Sequence, residues 1–324
     1  MATILLIGRD DVLSFLRDRV MPLLDPAHEA LLFSERDAIP AAILERAEIL
    51  VALDARCDGA LLERAPLLRA IVSPTIGIDH IALDDATARG IMVVNGAVRE
   101  NAESMAEATV MLLLAAFYDL QRSMERLDQP QDQAPTARML AGKTLGLLGY
   151  GAIARGVARR LAPWGVRLLA HSRTARRDED GVSFVPLETL LRESDGLTVL
   201  ASLNADSRHL LNAERLSWMK RGAILVNTSR GAIIDEAALA DAIRSGAIGR
   251  AALDVFETEP LPRDSALRGL PHVLLTPHCV GHSIESYAAI PAKAAENVAL
   301  LLAGKVPDSL CNPEILASGA RRSS

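Results

Sequence analysis

Three residues in the C-terminal half of the chain are of the types that carbonyl reduction requires. Arg230 lies in Asn227-Thr228-Ser229-Arg230-Gly231, and Glu259 in Asp254-Val255-Phe256-Glu257-Thr258-Glu259-Pro260. His278 lies in Thr276-Pro277-His278-Cys279-Val280-Gly281. A guanidinium forks onto a carboxylate with two parallel hydrogen bonds. An imidazole titrates near neutrality and can hand a proton to a developing alkoxide, while a carboxylate beside it fixes its orientation. Singly, each residue has a bland reading: a surface arginine, a solvated glutamate, a histidine in a turn. Together, each just past a short apolar run, they suit proton and hydride chemistry on a 2-oxo acid. Cys279 adjoins His278, but neighbours on an extended segment point to opposite faces, which argues against a Cys/His nucleophile.

A second constellation is Gly149-Tyr150-Gly151-Ala152-Ile153-Ala154, directly after the apolar run Thr144–Leu148 and at the start of AIARGVARRLAPWG. This is the strand–turn–helix setting of a dinucleotide fingerprint. Gly149 permits the tight turn, Gly151 lets the backbone approach a pyrophosphate at the helix N-terminus, and Ala154 keeps the third position small. The next strand should end at His171-Ser172-Arg173-Thr174, with no acid before Asp178. A carboxylate there would hold a ribose 2′-hydroxyl and repel a 2′-phosphate. Ser172 and Arg173 could instead bind the phosphate, so NADP(H) is favoured over NAD(H), which stays possible.

The elements that must position these groups follow from periodicity. Short apolar runs predict strands at Thr3–Ile7, Ile49–Leu53, Arg69–Val72 and Ile91–Val94. A second series is predicted at Thr144–Leu148, Val166–Ala170, Leu197–Leu200, Ala223–Asn227, Ala251–Val255 and Val273–Leu275. Helical patterns fill the gaps, and strand–helix alternation implies α/β architecture with parallel sheets. Asp235 is the expected N-cap, and Gly246 the C-terminal stop, of one such helix. Asn101–Met124 reads as one long helix, Asp128–Thr136 as an exposed polar loop, and the residues from Ser318 on as a disordered tail. In a doubly wound sheet the carboxyl ends of the strands line one crevice, so the three separated residues can converge.

Composition narrows the class. At 324 residues the chain suggests two domains. Aromatics make up only 3%, too few for stacking on single-stranded nucleic acid or sugars. The net charge of −6 disfavours nucleic acid and anionic membranes as partners. The three cysteines form no CxxC pair, so no metal is expected. No apolar run approaches the roughly 18 residues of a membrane span, and a cytoplasmic location is expected.

Taken together, the segments GKTLGLLGYGAIA, LVNTSRGAIIDEAAL, AALDVFETEPLP and LLTPHCVGHS resemble those of the D-isomer-specific 2-hydroxyacid dehydrogenases, in the same order and spacing. The resemblance covers nearly the whole chain. It implies a Rossmann-type cofactor domain, residues 101–284, inserted in a flavodoxin-like substrate domain, residues 1–100 and 285–324, each a doubly wound parallel sheet. It implies a homodimer, with the active site in the cleft between domains. It implies Arg230, Glu259 and His278 as the catalytic set, with Glu259 rather than Glu257 as the partner of the histidine. Thr228, Asp254 and Gly281 would join the glycine loop around the cofactor. Ser73-Pro74-Thr75-Ile76-Gly77-Ile78-Asp79 resembles the substrate loop, so Ile76 and Gly77 would hold the carboxylate through backbone N–H groups, with Asn101 nearby. A small anionic 2-oxo or 2-hydroxy acid of the glyoxylate or hydroxypyruvate type is the implied substrate, and an aryl-pyruvate is also tenable. Formate oxidation is disfavoured because Glu259 stands where those relatives have Gln. Some members instead serve as nucleotide-sensing corepressors, a binding role that can keep the same three residues.

Overall fold

The structure, a computed structural model, describes residues 1–10, 12–34, 39–125, 137–174 and 176–317. The chain divides into two compact units, Met1–Asn101 with Ser283–Ser324, and Ala102–His282. Each is α/β and built on one parallel sheet.

The first unit contains β1 (Thr3–Gly8), β2 (Glu29–Phe33), β3 (Ala47–Leu53), β4 (Ala70–Val72) and β5 (Met92–Val94), in the order β2-β1-β3-β4-β5. This is the flavodoxin-type order. All four strand pairs are parallel. In β1 every residue is buried, as expected for a strand covered on both faces. Its Leu5 and Ile7 enter one apolar cluster. Ile4 and Leu6 enter the other, with Ala294, Val298 and Leu301 of the helix Ile284–Leu302.

The second unit contains β6 (Thr144–Leu148), β7 (Arg167–His171), β8 (Val182–Phe184), β9 (Gly196–Val199), β10 (Ala223–Asn227), β11 (Ile248–Leu253) and β12 (Val273–Leu275). Their order is β12-β11-β10-β9-β6-β7-β8. The chain reverses direction of winding between β6 and β9, and it is outside the carboxyl ends at such a switch point that ligands bind. Period two sorts the side chains here as well. Ile224 and Val226 of β10 pack in the cluster that includes the helices Arg99–Phe117 and Ala152–Leu161. Leu225 packs in the cluster that includes Leu187–Glu193 and Glu236–Arg244. Asp235 caps the last of these helices through Ala238 N–H, and Gly246 follows it at φ 68°. Among the described residues, no helix is long and apolar enough to cross a membrane.

Three departures from the sequence reading have physical causes. Strand β2, EALLF, is half-buried throughout and made largely of good helix formers, so it carries no strand signature. Strand β8 is only three residues long and follows an acidic, glycine-containing turn. The helix expected over Asn101–Met124 is two, Arg99–Phe117 and Leu120–Glu125. Asp119 parts them at φ 51°, a left-handed conformation that aspartate tolerates. Its buried carboxylate meets Arg250 at 3.2 Å and His272 at 3.1 Å. Arg250 also donates to the carbonyls of Ala116 and Phe117 at the end of the first helix, which take backbone N–H groups of Asp119 and Arg138 as well. The segments Asp128–Thr136 and Ser318 onward lie outside the described residues.

Asp119→Ala removes the carboxylate from a largely buried guanidinium, the costly way to break an ion pair. We expect a loss of about 3 kcal/mol, read as a lower denaturant midpoint by circular dichroism. An unchanged midpoint would show that Arg250 finds adequate solvent.

Candidate active site

Every group of the predicted trio stands just past a carboxyl end of neighbouring strands. Arg230 follows β10, Glu259 follows β11 and His278 follows β12. Backbone hydrogen bonds lace these ends together: Asp254 N–H donates to Asn227 O (3.0 Å), Thr276 N–H to Leu253 O (3.0 Å) and His278 N–H to Asp254 O (2.8 Å). His278 has φ 53°, so the segment is a left-handed turn and not the extended run expected from sequence. Its neighbour Cys279 is no nucleophile on other grounds: burial and the charge of Asp254 push its thiol up, away from thiolate.

His278 Nδ1 lies 2.7 Å from Glu259 Oε2. The other carboxylate oxygen, Oε1, accepts from Phe256 N–H at 2.9 Å. Burial pushes Glu259 up, but the hydrogen bonds from His278 and Phe256 outweigh it and leave the carboxyl below its usual range. An ionised carboxylate only accepts, so Nδ1 is the donor and Nε2 is the position that can exchange a proton. The hydrogen bond to Glu259 raises His278 above its ordinary value, against burial and against the repulsion of Arg230. Burial and the neighbouring His278 push His282 the other way, toward neutrality.

Arg230 is extended (φ −143°), and Gly231 after it is pressed against the Glu259 loop. A Cβ on Gly231 would sit 1.8 Å from the carbonyl carbon of Phe256. Only glycine lets the arginine segment approach so closely.

The turn after β6 has the shape that a dinucleotide needs. Gly149 adopts φ 96°, and a Cβ there would lie 2.6 Å from the backbone of Ala201, just past β9. Gly151 is the N-cap of the helix Ala152–Leu161, has no side-chain cap, and has open space where its Cβ would be. Uncapped N–H groups facing open space at a switch point fit a pyrophosphate. Ala152 and Ile153 form the first turn. Tyr150 does otherwise: its side chain is buried, edge-on to Phe184, so only its backbone faces that turn. Ser172 and Arg173 directly follow β7, and the Ser172 hydroxyl donates to Thr174 O at 2.7 Å. Asp178, the first acid after the strand, accepts from Phe184 N–H at 2.9 Å.

Thr228 is buried with its hydroxyl 2.8 Å from that of Thr109. Since Thr109 spends its proton on Met105 O, Thr228 is the donor of the pair. Gly281 has a packing reason: a Cβ there would meet Met105 Sδ at 1.9 Å. In the other unit, Ile76 and Gly77 sit in a turn held by Asn95, whose side-chain amide donates to Ile76 O at 3.0 Å. Gly96 N–H donates to Thr75 O at 3.0 Å. Asn101 is half-buried in the first turn of Arg99–Phe117. Among the described residues, no group of three or more His, Cys, Asp or Glu could hold a metal ion. Sequence reasoning gave no role to Glu236 or His209 and weighed Glu257 only as a partner of the histidine, whereas Glu257 bonds to both of them. No local motif marks these contacts.

Residues 108–280 match the model of the D-isomer specific 2-hydroxyacid dehydrogenase NAD-binding domain. The chain belongs to that family. A glyoxylate reductase of Aeropyrum pernix is 38% identical over 309 residues, covering 90% of this chain and 88% of the relative. An NADPH-dependent glyoxylate/hydroxypyruvate reductase of Sinorhizobium meliloti, solved with NADP and malonate, superposes with a TM-score of 0.84 at 27% identity, over 95% of this chain and 96% of that one. A D-lactate dehydrogenase of Aquifex aeolicus, solved with NAD and lactic acid, gives 0.82 at 27%, over 95% and 98%. The chain is accordingly an NAD(P)-dependent oxidoreductase acting on the CH–OH group of 2-hydroxy acids. The enzyme names of these relatives do not favour the corepressor reading.

Glu259→Gln keeps the shape of the carboxylate and removes its charge. The imidazole pKa of His278 should fall, seen as an acidward titration of its ring resonances by NMR. An unmoved midpoint would show that Glu259 does not hold the proton on His278.

Proposed function

We propose that the chain reduces small 2-oxo acids of glyoxylate or hydroxypyruvate size, with NADPH preferred over NADH. The observation that carries this reading is the 2.7 Å contact of His278 with Glu259 beside the Arg230 segment. The nicotinamide, when bound, supplies the hydride. Gly149, Gly151 and the first turn at Ala152 and Ile153 would hold its pyrophosphate, and Thr228 and Asp254 lie at neighbouring strand ends.

The chain's own residues do the rest. Arg230 forks onto the carboxylate and carbonyl of the substrate, fixing its orientation and drawing charge from C2. His278 keeps a proton at Nε2 and delivers it to the developing alkoxide. Glu259, bonded to Nδ1, favours that charged imidazole in the right rotamer. Sequence resemblance alone adds the Ile76 and Gly77 N–H groups, and Asn101, to the substrate contacts. The neutral residues Pro74, Thr75 and Ile76 agree with a small R group lacking a phosphate.

The cofactor preference rests on Ser172 and Arg173 after β7 and on the engagement of Asp178 with Phe184 N–H. Arg173 offers the charge that a 2′-phosphate seeks.

His278→Gln should lower kcat by about 10²–10⁴-fold with cofactor affinity retained, measured by NADPH oxidation and by fluorescence titration. Near-wild-type turnover would refute its role as proton donor. Run in parallel on a panel of 2-oxo acids, NADPH should give the higher kcat/KM, and Arg173→Asp should weaken NADPH more than NADH. Equal loss with both would make Arg173 a surface charge only.

A further inference from the structure

Two loops must keep their spacing for the proposed chemistry: the segment that carries Arg230 into the helix Glu236–Arg244, and the segment Asp254–Glu259 after β11. A set of contacts outside the trio joins them. Glu236 N–H donates to Glu257 Oε1 at 2.9 Å, and Glu257 N–H donates back to Glu236 Oε1 at 2.5 Å. The second oxygen of Glu257, Oε2, lies 2.9 Å from His209 Nε2. His209, at φ 48°, donates its own N–H to Ala232 O at 2.8 Å, two residues beyond Arg230. Both oxygens of Glu257 therefore end on the arginine-bearing segment, one directly and one through His209.

We propose that Glu257, reciprocally bonded to Glu236, is a positioning residue that sets Glu259 and His278 against Arg230. The path is short. Phe256 N–H holds Glu259 Oε1, the Phe256 carbonyl carbon rests against Gly231, and the next amide, that of Glu257, is pinned by Glu236. Moving Glu257 moves the donor that aims Glu259.

Helix capping accounts for only half of the arrangement: Asp235 takes Ala238 N–H and Glu257 takes Glu236 N–H at the helix start, but capping gives no reason for the return bond from Glu257 N–H to Glu236. Nor is it the arrangement that charge alone would choose. Burial, Glu257 and Glu259 together push the Glu236 carboxyl up. Glu236 is tolerated within reach of both other carboxylates because it and Glu257 take each other's backbone N–H and a further donor comes from His209. Holding like charges together to fix a backbone spacing is the pattern expected where geometry serves a reaction.

The inference rests on the proposed roles of Arg230, Glu259 and His278, and its test separates the two. His278 faces Glu259, Arg230, Asp254 and His282, so its titration reports how well Glu259 is aimed. In ring-labelled, full-length protein, NMR titration of His278 needs no turnover. Glu257→Ala should move that titration toward acid. Turnover of glyoxylate with NADPH should lose about tenfold to a hundredfold in kcat, with NADPH affinity retained. Glu236→Ala should act in the same direction, and the double variant should be no worse than the worse single, since both break one buckle. Glu257→Gln keeps an oxygen for Glu236 N–H and should recover most of the lost kcat. The inference is overturned if the alanine variants melt earlier but titrate and turn over as wild type, if their losses simply add, or if Gln is as poor as Ala. Absence of turnover in the wild type would instead count against the reductase reading, with the titration still deciding the buckle.

Discussion

Between β10 and β12 the backbone leaves its ladder around one buried carboxylate. Asp254, 1% exposed, accepts from Thr276 Oγ1 at 2.8 Å, Cys279 N–H at 3.0 Å and Val280 N–H at 3.4 Å. Its own N–H and carbonyl engage Asn227 and His278. Burial dominates its titration and raises it despite those donors. A carboxylate held out of water needs its lone pairs filled, and filling them requires the turn after β12 to curl back. That curl gives His278 its left-handed φ and brings Nδ1 toward Glu259. The local strain, of order 1–3 kcal/mol, persists because the surrounding hydrogen bonds leave the histidine no other conformation.

The electrostatics then follow in a chain. Asp254 and Glu259 both favour a charged imidazole, and Arg230 opposes it. The balance leaves His278 raised, so the imidazole keeps its proton to higher pH than a free histidine would. On the proposed mechanism the arginine cost has a return, since the same cation would meet the substrate carboxylate. The glycine turn is built on the same logic of close approach. Gly149 lets the end of β6 touch the end of β9, and Gly151 leaves the helix N-terminus bare.

Much of this was legible because the informative residues are local in sequence. The Gly149–Ala154 fingerprint, the strand runs and the three short segments around Arg230, Glu259 and His278 announce themselves within a few positions. What was not legible is what distance hides. Glu236 and Glu257 meet across 21 residues and Thr109 and Thr228 across 119. Nothing within either neighbourhood marks the contact. Tyr150 shows the opposite failure, since the motif names the position but not the direction of its side chain. Asp119 broke an unbroken helical pattern because its partners come from far along the chain, Arg250 from β11 and His272 from the turn before β12. β2 and β8 escaped because edge strands with partial burial lack the apolar run that marks a central one.

Gly231 carries a consequence for how such a site can diversify. With the Phe256 carbonyl carbon 1.8 Å from where a Cβ would be, no side chain can be introduced there without prising two strand ends apart. The guanidinium-bearing segment and the carboxylate-bearing loop are thereby fused into one rigid anvil. Descendants of this chain can change what is struck on it only by remodelling residues that the anvil does not touch.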